Sequence, residues 1–190
     1  SGGGGADGSG EPSLEGVTSP RGVYMHGGVG CGKSFLMDAF HECADVDEEA
    51  KRRVHFNEFM LDVHKRMHEI RTKQPEYGDP LPLIAHDIAS ATRLLCFDEF
   101  QVTDVADALV MRRLFRMLFA HGLVMVATSN RPPNQLYLNG IQRSSFLPFI
   151  DDLAGRCEVH DLDSETDYRM LAQVSRGAKT YLTPLGAATT

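Results

Sequence analysis

Apolar residues in this chain gather into short unbroken runs, separated by longer stretches in which they recur every three or four positions. Residues 23–26 (Val-Tyr-Met-His), 94–97 (Leu-Leu-Cys-Phe) and 123–128 (Leu-Val-Met-Val-Ala-Thr) are such runs. Runs this short and continuous predict strands buried on both faces, as in a parallel sheet. Residues 52–57 alternate instead, which is also the period of a strand. Between the runs lie helical patterns. One continues from Phe35 through Phe40. A second spans 58–71, with Phe59, Val63, Met67 and Ile70 on one face and Asn57 as its expected N-cap. A short third helix is expected over 81–90. The fourth opens at Asp104, its expected N-cap, carries Leu109, Leu114, Phe115, Leu118 and Phe119 as its apolar face, and ends near Gly122. In that helix Asp104 and Asp107 open the first turn, and Arg112, Arg113 and Arg116 follow in the second half, which complements the helix dipole. The arginine trio reads as a solvated basic face, with a subunit or nucleic-acid contact as the alternative. Strands alternating with helices predict an α/β fold.

The junction between the first strand and the first helix is Gly27-Gly28-Val29-Gly30-Cys31-Gly32-Lys33-Ser34, and Phe35 continues the helix. It matches G-x-x-x-x-G-K-[ST] at every position, and it sits between a strand and a helix, as that pattern requires. Glycines let successive backbone N–H groups curl around an anion, to which the helix adds its positive end. Lys33 is expected to reach the β- and γ-phosphates of a nucleoside triphosphate, and the Ser34 hydroxyl to hold Mg²⁺. A plain glycine-rich surface loop is the competing reading, and the flanking strand and helix argue against it. Cys31 lies inside the loop. It reads as a tolerated small side chain, or as a thiol whose oxidation blocks the site.

The apolar run at 94–97 ends in Asp98-Glu99. Acids at the C-terminal end of a buried parallel strand stand where open α/β sheets bind ligands. Asp98 is the candidate for holding Mg²⁺ and Glu99 for orienting the attacking water. The second carboxylate favours hydrolysis over transfer to a small molecule, which needs no water activator. The run at 123–128 ends in Ser129-Asn130, and Asn130 is the candidate for sensing the γ-phosphate and the water. Arg131-Pro132-Pro133 then stops the strand. His64 and His68 stand one helical turn apart, but Lys65-Arg66-Met67 between them lacks the glutamate of H-E-x-x-H. They read as a solvated face.

A length of 190 residues suits one domain, and the net charge of −7 gives no overall attraction to nucleic acid or an anionic membrane. The four cysteines show no C-x-x-C spacing, against a zinc site or disulfide framework and in keeping with a reducing compartment. No apolar run approaches membrane-spanning length. Residues 1–19 are glycine-rich and poor in apolar side chains, so they are expected to be a flexible segment outside the fold.

Six stretches in order resemble one family: 27–34, 53–64 (Arg-Val-His-Phe-Asn-Glu-Phe-Met-Leu-Asp-Val-His), 95–104 (Leu-Cys-Phe-Asp-Glu-Phe-Gln-Val-Thr-Asp), 127–133 (Ala-Thr-Ser-Asn-Arg-Pro-Pro), 136–143 (Leu-Tyr-Leu-Asn-Gly-Ile-Gln-Arg) and 146–150 (Phe-Leu-Pro-Phe-Ile). The family is that of the AFG-one-like (LACE-type/ZapE) AAA+ ATPases. The resemblance implies a P-loop NTPase of AAA+ type, with a central parallel five-stranded sheet between helices and the phosphate-loop strand beside the acid and sensor strands. It implies ATP and Mg²⁺ as ligands, protein clients and a homo-oligomeric ring. The clients would be inner-membrane or respiratory proteins in mitochondria, or division proteins in the bacterial cytoplasm. Residues 100–104 lean towards the mitochondrial members. In such rings an arginine of one subunit reaches the neighbour's γ-phosphate. Arg143 matches that position, with Arg131 and Arg156 as alternatives. A polar residue on the second strand, Asn57 or His55, would restrain Glu99. The chain departs from the family pattern in having Ser34 where threonine is common and Asn57 where histidine is common. A fifth strand is expected at 157–160, making 20–163 the nucleotide-binding core. Residues 164–190 are expected to be a C-terminal extension, without the helical lid of complete members. Three functions follow: a protein-remodelling ATPase, a helicase-loader-like ATPase acting on nucleic acid, and a nucleotide-binding module with little turnover.

Overall fold

A computed structural model describes residues 12–14 and 16–163. The chain runs β1 (Gly22–His26), α1 (Lys33–Cys43), β2 (Lys51–His55), α2 (Phe56–Lys73), α3 (Leu81–Ala91), β3 (Leu94–Asp98), α4 (Val105–Ala120), β4 (Val124–Ser129), α5 (Arg143–Arg156) and β5 (Cys157–Asp161). All five strands pair in parallel, in the order β2-β3-β4-β1-β5. The strand expected to carry the phosphate loop is therefore interior and lies beside the sensor strand β4, as expected, but not beside the acid strand β3, from which β4 separates it.

Alternation along the strands divides the core in two. Tyr24, Leu95, Phe97, Met125 and Ala127 face the larger half, which α2, α3, α4 and α5 cover. Met25, Leu94, Cys96 and Val126 face the smaller half, against Met37 of α1. Phenylalanines dominate the larger half. Phe56, Phe59, Phe97, Phe100, Phe115 and Phe149 meet at ring-centroid separations of 4.5 to 6.2 Å. Close strand approach explains Gly22, because a Cβ there would stand 1.9 Å from the Met125 carbonyl oxygen.

Four sequence expectations change. Asn57 lies inside α2 and does not cap it; the cap position is His55, and its side chain makes no capping bond. The helix starts directly off β2 because Phe56 is drawn into the core beside Phe97 and Phe100. Leu109 is exposed, and Met111 takes its place in the core, being four residues before Phe115 on the same face. Asp104 does cap α4, accepting from the Ala106 N–H at 2.6 Å. The arginines of α4 are only in part a solvated face: Arg113 is exposed and pairs with Asp79, whereas Arg116 is largely buried and bonds to Asp152 and the Pro12 carbonyl. His64 is no free surface residue either, since its Nε2 lies 2.7 Å from Asp107 and ties α2 to α4.

Residues 16–19, set apart by composition, contact the fold, with Arg156 bonded to the Val17 carbonyl and the Ser19 hydroxyl. The readings placed on residues 1–11 and 164–190 lie outside the described residues. No described helix is long and apolar enough to cross a membrane.

Candidate active site

The C-terminal edge of the sheet assembles the site by register. His26 of β1 stands level with Ser129 of β4, and Phe97 of β3 with Ala127. The Gly27 N–H donates to the Ser129 carbonyl at 3.3 Å, so the glycine loop leaves the sheet beside Asn130. Asp98 ends β3 on the far side of β4, two strand spacings or about 10 Å from the loop strand. Loop, Asn130 and the acid pair thus open onto one edge.

Within the loop the backbone does the holding. Gly30 and Gly32 have φ of 85° and 92°, a region that disfavours side chains, and Gly32 leads directly into α1. The Val29 side chain is 95% exposed, so only its backbone serves the loop, and Phe35 is likewise exposed. Lys33 Nζ folds back on the loop, donating to the Gly27 and Gly28 carbonyls at 2.6 Å, with Cys31 Sγ at 3.5 Å. The Gly28 N–H donates to both carboxylate oxygens of Asp163 at 2.7 Å. Pairing at the end of β5 brings that acid there, because the Leu162 N–H bonds to the His26 carbonyl at 2.8 Å and draws the chain across the loop. The loop therefore already holds an anion, and it is the chain's own.

At the end of β3 the side chains are arranged by their neighbours. Asp98 is buried, and its Oδ2 accepts from Arg53 Nε of β2 at 2.7 Å. The other arm of Arg53 pairs with Asp38 of α1. Hydrogen bonding to Asp98, then to Asp38, raises the Arg53 guanidinium above its ordinary value, so it is charged at every accessible pH. Asp98 Oδ1 is buried with no hydrogen-bond partner. A buried acceptor left over in this way suits a cation. Among the described residues no group of three His, Cys, Asp or Glu side chains is arranged for a metal. A cation here would thus draw on Asp98, Ser34, phosphate oxygens and water, as a nucleotide-bound Mg²⁺ does.

Glu99 is exposed, and its backbone lies in the left-handed region at φ 54°. Its flanks explain the posture. Phe97 and Phe100 are both fully buried among the aromatic rings, and the Phe100 N–H bonds to the Thr128 carbonyl at 2.7 Å. The chain must turn sharply between them, and the carboxylate is thrown outward. The Glu99 N–H donates to Thr128 Oγ1 at 3.3 Å. Strain of this kind costs about 1–3 kcal/mol and gathers at functional sites.

Asn130 is exposed at the tip of β4. Arg143 begins α5, which runs back from this edge to β5, and its Nη2 donates to the Asn134 carbonyl at 2.6 Å. Arg131 is exposed just beyond Asn130. Arg156 ends α5 at the opposite edge, bonded to Val17 and Ser19. Neither His55 nor Asn57 is hydrogen-bonded to Glu99, whose N–H bonds instead to Thr128. Arg53, Asp38, Thr128 and Asp163 had no motif to mark them. The only signal was membership of a family-like stretch: Arg53 opens the one at 53–64 and Thr128 lies in the one at 127–133, whereas Asp38 and Asp163 fall in none. A recess of about 1610 Å³ lies at the other edge of the sheet between Ser19, Ala44 and Leu123, away from all of these groups.

Comparison with known proteins shows which family and fold the chain is similar to. The family model described as AFG1-like ATPase matches residues 13–190. Lactation elevated protein 1 homolog B of Danio rerio is 46% identical over 170 residues, 86% of this chain and 33% of that protein. Cell division protein ZapE of Escherichia coli strain K12 is 44% identical over 168 residues, 88% of this chain and 43% of that protein. The chain thus spans less than half the length of either relative. AMPPCP-bound DnaA from Aquifex aeolicus superposes with a TM-score of 0.56 at 18% identity, over 90% of this chain and 50% of that one, a likeness of fold.

Proposed function

The chain belongs to the AFG1-like ATPase family, and on that premise we propose that it is the ATP-binding and ATP-hydrolysing core of a ring-forming machine that remodels protein clients. The observation that carries this reading is the convergence, on one sheet edge, of an anion-holding glycine loop with a buried carboxylate that has one oxygen unpartnered.

The phosphates of ATP lie along the backbone amides of Gly27, Gly28, Val29, Gly30, Cys31, Gly32, Lys33, Ser34 and Phe35, displacing the Asp163 carboxylate from Gly28. Lys33 Nζ leaves the two loop carbonyls and turns to the β- and γ-phosphates. Ser34 and Asp98 hold Mg²⁺, which supplies charge neutralisation on the transferring group. Glu99, thrown clear of the sheet, accepts the proton of the attacking water and aims it. Asn130, one strand across, hydrogen-bonds the γ-phosphate and that water. Arg143 of a neighbouring subunit completes the neutralisation, a contribution of about 10³-fold or more. To act so it exchanges the Asn134 carbonyl for the neighbour's phosphate.

Protein clients are favoured over nucleic acid because two of the α4 arginines are already paired, the largely buried Arg116 with Asp152 and the exposed Arg113 with Asp79, and because the net charge is −7. The clients are mitochondrial inner-membrane or respiratory proteins, or in a bacterial setting division proteins. ATP turnover measured against protein concentration, with Glu99→Gln and Arg143→Ala alongside, tests the reading. Turnover that rises cooperatively with concentration, and falls about 10²- to 10⁴-fold in Glu99→Gln and comparably in Arg143→Ala, is expected. Binding without turnover at any concentration overturns the hydrolytic reading in favour of a regulatory module. Stimulation by single-stranded DNA points to the helicase-loader class.

A further inference from the structure

Among the described residues Arg53 is the one basic side chain in contact with the acid pair, and although it opens the stretch 53–64, its residue type alone assigns it no role. Its Nε holds Asp98 Oδ2 at 2.7 Å, and its Nη1 holds Asp38. Asp38 stands on α1 one turn after Ser34, so it lies on the same helical face as the hydroxyl expected at the cation. One guanidinium therefore bridges β2, the end of β3 and the helix that carries Lys33 and Ser34. Asp98 Oδ1 remains buried and unpartnered. The two oxygens of Asp98 are divided: one is fixed by arginine and the other is left over at the site edge.

We propose that Arg53 is the positioning residue for the cation site, fixing Asp98 so that its free oxygen is presented at a set distance from Ser34, with Asp38 holding the guanidinium in place. The inference rests on the nucleotide-and-Mg²⁺ reading above. The planar fork matters here, because a lysine ammonium is a point charge and cannot hold two carboxylates on different elements in fixed geometry. Groups that orient a metal-binding side chain are commonly worth about 10- to 100-fold in metal affinity. Charge alone predicts the reverse, since removing a cation from beside the site would tighten Mg²⁺ binding.

The two effects separate in a Mg²⁺ titration of the protein with a fluorescent ATP analogue, read as nucleotide binding and not as turnover. Arg53→Gln is expected to raise the half-saturating Mg²⁺ concentration by about 10- to 100-fold. Nucleotide binding in EDTA is expected to stay at the wild-type value, while the thermal unfolding midpoint in EDTA falls because the buried Asp98 loses its partner, but by too little to unfold the protein under the conditions of the titration. Arg53→Lys should recover part of the shift, and Asp38→Asn should move it in the same direction by less. A half-saturating concentration that is unchanged or lower in Arg53→Gln overturns the proposal, the latter by making Arg53 a competitor of the cation. A drop of the EDTA unfolding midpoint that accounts for the whole loss also overturns it, leaving a structural tie. Should Arg53→Gln fail to fold, Arg53→Lys and Asp38→Asn decide by the same titration. Wild-type protein whose nucleotide binding ignores Mg²⁺ overturns the parent reading together with this one, whereas Mg²⁺-dependent wild type with an unshifted Arg53→Gln overturns this one alone.

Discussion

The glycine loop and the acid-bearing end of β3 open onto the same edge of the sheet, yet they are built in opposite ways. In the loop the backbone is the working part. Its amides and its left-handed glycines are specified by eight consecutive residues, and its exposed Val29 side chain plays no part. At the end of β3 the side chains work, and their posture is set from elsewhere. Arg53 comes from β2, Asp38 from α1 and Thr128 from β4, while the buried Phe97 and Phe100 force the turn at Glu99. Chemistry done by backbone is written locally. Chemistry done by side chains needs partners that the chain supplies from a distance.

The largest expected effect breaks the loop side of this contrast. Gly32→Val puts a β-branched residue at φ 92°, where it costs about 1–3 kcal/mol. No neighbouring atom lies within 4 Å of the added Cβ, so the penalty is conformational and not a clash. Nucleotide affinity is expected to fall by about 10- to 100-fold, with circular dichroism unchanged, as measured by titration with a fluorescent ATP analogue. Affinity within twofold of wild type would mean that the left-handed turn is not what shapes the loop.

A smaller effect of opposite sign sharpens the acid side. Glu99 holds a left-handed backbone without being glycine, so its strain is relieved in Glu99→Gly. Unfolding free energy from urea titration is expected to rise by up to about 1 kcal/mol, because the entropy cost of glycine offsets part of the relief. Turnover should vanish. The pair of substitutions thus moves in opposite directions: a glycine lost from the loop weakens it, and a glycine gained at the acid stabilises the fold while ending its function.

This contrast also governs how much was legible in the chain itself. The strands, the loop, the acid pair and the Asp104 cap rest on local patterns, and the structure places each near its expected residues. The start of α2 was not legible, because Phe56 obeys its distant partners Phe97 and Phe100 and not the capping preference of Asn57. Arg116 read as solvent-facing because charge on a helix face ordinarily is. Asp152, thirty-six residues later, could not be paired with it from spacing. Asp163 reaches Gly28 only because β5 lies beside β1, a neighbour relation that belongs to the sheet order and not to any motif.

The cysteines give the two regions a built-in probe with the smallest perturbation. Cys31 lies in the loop at intermediate exposure, and Cys43 is exposed, whereas Cys96 of β3 and Cys157 of β5 are buried. Burial pushes the thiols of Cys96 and Cys157 up from an ordinary 9.0 to about 12. A thiol reagent at pH 8 is therefore expected to modify Cys31 and Cys43 in the folded protein and to reach the other two only on unfolding. Mg²⁺ with ATP should slow Cys31 and leave Cys43 unchanged, since only the former lies under the phosphates. The same shifts set the sign of an alkaline effect. The folded state keeps both protons to a higher pH than the unfolded state, so the stability they contribute is fully present below about pH 9. It is lost as the pH rises towards 12. Tyr24, whose phenol burial also raises, adds to the loss with the same sign. The unfolding free energy should therefore slope downward above pH 9, and Cys96→Ala should shallow that slope by removing one of the groups. Labelling of Cys96 at the rate of Cys31, in protein that is folded by circular dichroism, would mean that β3 opens independently of the sheet. The acid end would then be as locally autonomous as the loop, and the contrast between them would collapse.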